Sequence, residues 1–308
     1  MTLTVDASLE AVAARYDISI QAFSGSDLVR KAYAVVEITG HINNASLQIQ
    51  KPTDPVKAWQ DFSLDINLKE AREVKSVSFM LEYPKDSLYV RDITIGNFFK
   101  GESTNQVFDK SIQNENGKLV IGYSRKDNVD SGNGTIARIV FRALKPGTHK
   151  IEFAKYSVRD TFIREILTLL SDTEITVNPG VQKKIVLTIN NKTMLIDGKA
   201  SQLDSPPVIE KGRTLIPIRV IAENLESIVL WDGKEQKITI VHFTKRIELW
   251  INKAKCFVNG IEKAMPSNVP PRILFSRTYV PLKFIADELD ASVLWDSKTQ
   301  TITILYPK

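Results

Sequence analysis

The chain has 308 residues, of which 43% are apolar and 25% are charged, and its formal net charge is +5. This composition is typical of globular proteins and excludes a largely disordered chain, while the length allows two or three domains. The single cysteine, Cys256, excludes an internal disulfide and a thiolate metal cluster. No apolar run is long enough for a membrane helix, and the N-terminus lacks the pattern of a secretory signal.

Residues 1–44 form the first region. We predict a short helix over residues 7–15 and a β-hairpin from the alternating segments at residues 18–23 and 32–40, with SGSD as the turn. A lone hairpin cannot bury both of its faces. We therefore expect it to lean on the next domain or to add a strand to another molecule.

Residues 45–179 read as many short strands separated by turns rich in Pro, Gly, Asn and Asp. We predict strands at SLQIQ, FSLDINL, VKSVSFMLEY, SLYVRDITI, GKLVIGYS, TIARIVFRAL, GTHKIEFAKYSVRD and TEITVN. Eight or nine strands with regular spacing indicate an all-β sandwich or barrel. The segment at residues 162–170, FIREILTLL, fits a strand and a helical turn equally well.

Two stretches of this region resemble cohesin domains. SVSFMLEYPKDSLYVRDITIG resembles an apolar cohesin strand that ends in Tyr, followed by a short Leu-Val strand. GKLVIGYSRKDNVDSGNGTIARIVFRALKPGTHKIEF resembles the later cohesin strands up to the Pro-Gly turn. The resemblance covers about 130 residues and implies a jelly-roll sandwich with a protein-binding role.

Residues 180–308 contain an internal duplication, with repeats at about 184–243 and 246–306. RTLIPIRVIAENLESIVLWDGKEQKITI aligns with RTYVPLKFIADELDASVLWDSKTQTITI. Each repeat predicts a β-β-β-α-β-β unit whose helix folds against its own sheet, an α+β arrangement of β-hairpins packed on short helices. The retained positions are interpreted as structural and include Pro217, Trp231, Asp232, Pro281, Trp295 and Asp296. We expect both tryptophans to pack in the core.

The duplicated unit resembles the copper amine oxidase N-terminal-like domain, also called the stalk domain of bacterial cell-surface proteins. The motifs that carry the resemblance are R-T-hydrophobic-hydrophobic-P, an aliphatic helix and a V-L-W-D hairpin, each present twice. The oxidase chemistry of that family belongs to another domain, and no three-histidine copper site is present here.

Catalytic chemistry has no candidate in the sequence, and no cofactor is expected apart from calcium. The loop DNVDSGNG offers oxygen ligands at Asp127, Asp130 and Asn133, although it lacks the EF-hand spacing. The alternative is a polar hairpin loop that uses Asx turns. Cys256 aligns with Met194 of the first repeat, so we predict a small buried hydrophobe.

The residues predicted to contact a partner are Ser76, Ser78 and Trp250. Cohesins bind dockerin modules through one sheet face, and Ser76 and Ser78 stand where the family has Asn or Asp, which argues against recognition of the cellulosomal type. Trp250 is predicted to be exposed because Thr188 takes its place in the first repeat.

The sequence predicts a non-enzymatic extracellular or cell-surface protein. Its sandwich would bind a protein partner or drive self-assembly into filaments, and its stalk region would act as a spacer or an envelope-associated module. A carbohydrate-binding accessory module, or attraction of the basic C-terminal region to a cell-wall polysaccharide, is the alternative. No basic block with interleaved aromatics indicates a nucleic-acid partner.

Overall fold

The computed structural model describes residues 15–24, 27–37, 45–100, 103–163, 165–166, 168–265 and 269–307, the first two ranges by their backbone alone. The chain divides into two compact units, unit 1 (Met1–Asn178) and unit 2 (Pro179–Lys308). Within the described residues, no helix is long and apolar enough to cross a membrane. The helix predicted over residues 7–15 falls almost wholly on residues outside these ranges.

The N-terminal strands form a two-stranded antiparallel sheet. Strand β1 (Arg15–Ser24) pairs with β2 (Asp27–Glu37), and the register shifts once, between Ala22 and Phe23. Both strands are longer than the predicted segments. No third strand pairs with this hairpin among the described residues, so its outer edges are open.

The rest of unit 1 is a sandwich of two sheets. Its strands in the described ranges are β3 (Ala45–Gln50), β4 (Val56–Lys57), β5 (Asp61–Val74), β6 (Ser76–Glu82), β7 (Leu88–Ile95), β8 (Gln106–Gln113), β9 (Lys118–Arg125), β10 (Asp130–Ala143), β11 (Gly147–Arg159), β12 (Thr168–Ser171) and β13 (Thr173–Asn178). Short 3-10 turns at Ser103–Asn105 and Asn114–Asn116 flank β8.

One sheet has the order β12-β3-β5-β10-β7 and the other has the order β4-β13-β11-β6-β9-β8. The pairs β12–β3 and β13–β4 are parallel, and the remaining pairs are antiparallel. Alternate residues of each strand face inward, where Leu64, Phe79, Ile121 and Phe141 are almost completely buried. The predicted all-β sandwich is confirmed.

In the sandwich, the sequence missed two strands and one strand start. Strand β8 lies in a stretch for which no strand was predicted, and β4 is too short for a periodic pattern. The segment at residues 162–170, for which strand and helix were both open, includes the start of strand β12, and its described residues contain no helix. Strand β10 begins at Asp130, five residues before the predicted TIARIVFRAL, because β-bulges carry the pairing with β5 through most of the polar loop.

Unit 2 contains both repeats. The first holds β14 (Lys183–Thr188), β15 (Thr193–Ile196), β16 (Lys199–Gln202), β17 (Val208–Glu210), β18 (Arg213–Pro217), α1 (Ile218–Asn224), β19 (Ile228–Asp232) and β20 (Lys237–His242). The second holds β21 (Lys245–Trp250), β22 (Lys255–Val258), β23 (Ile261–Ala264), β24 (Arg272–Leu274), β25 (Arg277–Pro281), α2 (Leu282–Glu288), β26 (Ser292–Asp296) and β27 (Thr301–Tyr306). Each repeat therefore has five strands before its helix instead of the predicted three, because two further short strands, β16 and β17 or β23 and β24, follow the first hairpin; the helix and the closing hairpin stand in the predicted order.

The repeats exchange strands, which the sequence interpretation did not foresee. The sheet β16-β15-β14-β27-β26 ends in the last hairpin of repeat 2, and the sheet β19-β20-β21-β22-β23 begins with the last hairpin of repeat 1. The prediction that each helix folds against a sheet of its own repeat alone is therefore wrong. Only two residues, Phe243 and Thr244, connect β20 to β21, and such a short connection keeps the two strands paired.

The repeats meet at a local twofold axis. In the sheet β17-β18-β25-β24, Ile216 pairs with Val280, which is its own counterpart in the other repeat. On either side, Leu215 pairs with Pro281 and Pro217 pairs with Tyr279. The register is therefore symmetric about the Ile216–Val280 pair.

Each helix begins directly after a proline that closes a strand, Pro217 or Pro281. The predicted apolar stripes Ile218, Ile221, Leu225 and Leu282, Ile285, Leu289 are buried. At the helix ends, Lys183 Nζ donates to the carbonyl of Asn224, and its counterpart Lys245 Nζ donates to that of Glu288. A lysine thus satisfies the last carbonyls of both short helices.

Candidate interaction surfaces

The first surface is the outer face of the six-stranded sheet, which carries both predicted serines. On β6, Val77 and Phe79 point into the core, so Ser78 faces outward and is exposed, while Ser76 is half-buried. Ser78 lies opposite Ser157 of β11 and Gly122 of β9. The structure therefore places the predicted residues at the centre of a broad sheet face.

Gly122 is a residue of this face that the sequence interpretation missed. Its φ lies outside the left-handed range, and a Cβ placed on it would meet no atom within 4 Å. Neither backbone conformation nor internal packing requires a glycine here, although glycine in a strand costs about 0.5–1 kcal/mol relative to alanine. A glycine in the interior of KLVIGYS, away from any turn, was the available signal.

Small, apolar and charged side chains surround Gly122 on the same face. Met80 and Val120 form the neighbouring rung and are half-buried. Two exposed charges flank this centre, because Asp109 of β8 pairs with Gly122 and Lys155 of β11 pairs with Met80. On the following rung, Glu82 and Lys118 pair with each other at 2.9 Å. The face therefore has a small apolar centre with one acidic and one basic side chain beside it, an arrangement common in protein interfaces.

The outer face of the five-stranded sheet is different. Arg138 makes two hydrogen bonds to the Asp65 carboxylate, at 2.7 and 2.9 Å. Further along the sheet, Asp61 pairs with Arg142 at 3.2 Å and with Arg91 at 3.6 Å. These charged groups pair with one another within the chain, so fewer of them are free to bind a partner.

The predicted calcium ligands contact protein groups instead. The Arg125 guanidinium, whose side chain is 7% exposed, binds Asp127 at 2.9 Å and Asp130 at 3.0 Å. The Asn128 N–H and the guanidinium hold the pKa of Asp127 below its usual value. Asn133 Oδ1 accepts the N–H of Glu70 at a bulge of β5. Because a cation already bridges the two aspartates, this geometry argues against a calcium site, which stays an untested prediction.

The metal and thiol chemistry of the described residues is sparse. They contain no group of three or more His, Cys, Asp or Glu side chains that could hold a metal ion. Cys256 is completely buried, as predicted, and burial raises the pKa of its thiol to about 11. His149 lies on unit 1 with Nε2 2.9 Å from the carbonyl oxygen of Lys145, whereas His242 is buried in unit 2.

Trp250 is half-exposed at the end of β21. Its ring contacts Phe257 edge to face, with centroids 5.7 Å apart, and the ammonium groups of Lys237 and Lys253 each lie 6.0 Å from its centroid. The ring therefore already has partners within unit 2, and any exposed contact area is smaller than the strand pattern predicts.

The prediction that Trp231 and Trp295 pack in the core is wrong. Their side chains are 42% and 46% exposed. Each tryptophan lies near the end of a hairpin, beyond the part of the sheet face on which other side chains pack. The adjacent aspartates are structural as predicted, because Asp232 Oδ1 accepts the N–H groups of Lys234 and Glu235, and Asp296 Oδ1 accepts those of Lys298 and Thr299.

Trp231 lines the second surface, a groove of about 470 Å³ in unit 2. The groove lies between the β19 hairpin, α1 and the β24–β25 hairpin of the other repeat. Leu230 and Trp231 recur as Leu294 and Trp295, a repetition that was interpreted as structural for the tryptophans, and the structure leaves all four side chains exposed. Core packing does not explain why both copies keep them.

Comparisons with known proteins match both units. The family model described as the cohesin domain matches residues 45–177. The family model described as the copper amine oxidase N-terminal domain matches residues 171–240 and 195–304. A search of the curated proteins gives no match.

Three similar solved structures are cohesins. The non-cellulosomal cohesin of Archaeoglobus fulgidus is 16% identical, with a TM-score of 0.38 over 44% of this chain and 91% of its own. The cohesin of the OlpC cohesin–dockerin complex from Clostridium thermocellum is 14% identical, with a TM-score of 0.41 over 47% of this chain and 100% of its own. The third ScaC cohesin of Acetivibrio cellulolyticus is 19% identical, with a TM-score of 0.39 over 44% of this chain and 99% of its own. The chain thus combines a cohesin-like domain with a copper amine oxidase N-terminal-like domain of two internal repeats, as the sequence motifs predicted.

Proposed function

We propose that the cohesin-like domain binds a protein partner through the outer face of its six-stranded sheet, and that the chain is a non-enzymatic binding or assembly protein. The observation that carries the proposal is Gly122, which leaves open space at the centre of that face. A glycine that the fold does not require allows the close approach of another backbone. The match to the cohesin family supports a protein as the partner.

The chemistry of the face supports a contact different from that of cellulosomal cohesins. Ser76 and Ser78 offer hydroxyl groups, Met80 and Val120 offer apolar area, and Asp109 and Lys155 add one negative and one positive charge. Neutral hydroxyls hydrogen-bond less strongly than carboxylates do. We therefore expect the fitting partner surface to have an apolar centre and complementary charges opposite Asp109 and Lys155.

Binding of the full chain to a panel of calcium-loaded dockerin modules and to itself tests this proposal. Gly122→Arg places a long charged side chain in open space, so the fold is kept and binding falls at least about tenfold. The matched control is Gln50→Arg on the outer face of the opposite sheet, which leaves binding unchanged. A panel without any binder, together with a monomeric chain, contradicts the proposal, as does an equal loss in both variants.

Self-assembly through the N-terminal hairpin is a second candidate. Strands β1 and β2 form a separate two-stranded sheet with open edges, and isolated hairpins are marginally stable. Addition of this hairpin to the sheet edge of another copy would link chains. Sedimentation of the full chain and of a variant lacking residues 1–44 tests this candidate, and an unchanged oligomeric mass argues against it.

We also propose that the chain acts outside the cell or at its surface, as its family resemblance implies, with unit 2 as a spacer or envelope-associated module. Cell fractionation tests the localisation. The alternative, carbohydrate binding by the sandwich, predicts that a glycan array shows strong binding to one polysaccharide. Such binding should be lost when Tyr156, an aromatic side chain that is 41% exposed, is changed to Ala.

A further inference from the structure

The groove in unit 2 has an apolar floor and one apolar wall. Ile218, Val229 and Ile238 form its floor and belong to the buried core. Trp231 forms one wall and is 42% exposed, while the adjacent Leu230 borders the groove with its side chain on the opposite face of β19. A volume of about 470 Å³ lies within the range of sites that bind ligands or the side chains of a partner.

The other wall is polar and basic. It comes from repeat 2 and includes Ile273, Arg277 and Thr278, while Arg219 of α1 lies at the rim. Arg277 binds Asp204, the single carboxylate that lines the groove, with an Nε–Oδ2 distance of 2.8 Å. Arg219 is exposed and contacts no carboxylate among the described residues. Positive charge therefore exceeds negative charge at this groove, which favours an acidic occupant.

The second repeat keeps the same features at the equivalent positions. Leu294 and Trp295 are exposed like their counterparts, and so is Ile209, the counterpart of Ile273. Basic residues are also kept, with Arg213 in place of Arg277 and with Lys283, which pairs with Asp287 at 2.7 Å, in place of Arg219. Exposed apolar area next to basic groups is costly in water, so its presence in both repeats indicates a binding role.

The lining favours a peptide over a sugar. Sugar hydroxyls need several polar partners, whereas most of this groove is aliphatic and Asp204 is already engaged by Arg277. Strands β19 and β24 both border the groove, and each is the edge strand of its sheet. Edge strands present backbone N–H and C=O groups that an extended peptide can pair with.

We propose that this groove binds an extended peptide segment of a partner protein, with an apolar side chain seated between Trp231 and Ile273 and acidic residues beside Arg219. The site is separate from the sheet face of the cohesin-like domain. Variants in one do not disturb the other, so the two proposals can fail independently.

The first experiment selects short random peptides displayed on phage against the immobilised full chain. Counterselection uses the variant Trp231→Ala, Trp295→Ala, which removes the aromatic wall from both repeats. We expect enriched peptides in which an apolar residue is flanked by Asp or Glu. If no peptide is enriched over the variant, or if basic residues flank the apolar one, the proposal is wrong.

The second experiment measures the affinity of the enriched peptide by fluorescence polarisation. We expect at least a tenfold loss, the size of a binding hot spot, in the double tryptophan variant. Arg219→Glu keeps the fold, since no described carboxylate contacts this side chain, and weakens binding about threefold or more. The matched control Ile261→Ala changes an exposed apolar side chain of unit 2 outside the groove and leaves the affinity unchanged.

An oligosaccharide panel on the same proteins provides the opposite outcome. Oligosaccharide binding that is lost in the double tryptophan variant, without peptide binding, identifies a glycan site and overturns the proposal. Equal loss of peptide affinity in Ile261→Ala and in the double variant also contradicts it, because the effect would then be unrelated to the groove.

Discussion

His242 is expected to make the stability of unit 2 depend on pH. The side chain is 3% exposed, its Nδ1 lies 3.0 Å from Ser227 Oγ, and its Nε2 has no hydrogen-bond partner among the described residues. The ring packs against Phe243 and Tyr306. Burial lowers the pKa of His242 from 6.5 to about 4, Asp290 opposes this shift, and Lys245 adds to it.

The shift sets the sign and the size of the effect. Between pH 6.5 and about 4, the unfolded chain binds a proton that the folded chain excludes, so acidification favours unfolding. At about 1.4 kcal/mol per pKa unit, the free energy of unfolding falls by about 3 kcal/mol across this window. This contribution is fully present above pH 6.5, and below pH 4 His242 causes no further loss.

Denaturant unfolding at a series of pH values, followed by tryptophan fluorescence, measures the effect, because Trp231, Trp250 and Trp295 all lie in unit 2. His242→Phe removes the titrating group, and Ser227 Oγ keeps its bond to the carbonyl of Leu225. The difference between wild type and variant isolates His242 from the carboxylates. The control His149→Gln lies in unit 1 and should leave the profile unchanged.

The reasoning is refuted if the wild-type protein and His242→Phe lose the same stability between pH 7 and pH 4.5. A profile in which the wild type gains stability on acidification would contradict the sign. A parallel loss in His149→Gln would show that the effect does not come from the buried ring.

Two further predictions follow from the contacts. Lys183→Met and Lys245→Met each leave the end of one helix without its lysine donor. Each should lower the free energy of unfolding of unit 2 by about 1 kcal/mol in denaturant titrations. If neither variant loses stability, the capping role is refuted. Arg125→Met frees Asp127 and Asp130, so millimolar calcium should raise the melting temperature of this variant more than that of the wild type if these residues bind calcium. If calcium changes the melting temperature of neither protein, the calcium interpretation is wrong.

Local patterns were enough to predict most of the sandwich. Strands such as β5, β6 and β9 alternate between inward apolar residues and outward polar ones, and the alternation is visible in the sequence. Strand β4 was missed because two residues carry no readable period, and the segment that includes the start of β12 fitted a strand and a helical turn equally well. The polar loop before β10 was misread as unpaired, since Asn133 and Ser131 side chains satisfy the bulges of β5 and so extend the sheet.

The candidate surfaces were predicted only in part. The family resemblance led to Ser76 and Ser78, whereas Gly122 entered only when the structure showed open space above it. Trp231 and Trp295 were interpreted as core because alternation tells which residues share a face but not how far that face is covered. Val229 and Trp231 share a face of β19, yet Val229 is buried and Trp231 is exposed.

By itself, the sequence determined the two domains, the duplication and the inward face of each long strand, because these depend on local periodicity and on similarity along the chain. Only the tertiary structure decided which strands pair across the repeats and which apolar residues stay in water. Strand exchange about the Ile216–Val280 pair brings Ile273 and Arg277 of one repeat beside Trp231 of the other. The groove thus depends on contacts between residues distant in sequence, and no local pattern encodes such contacts.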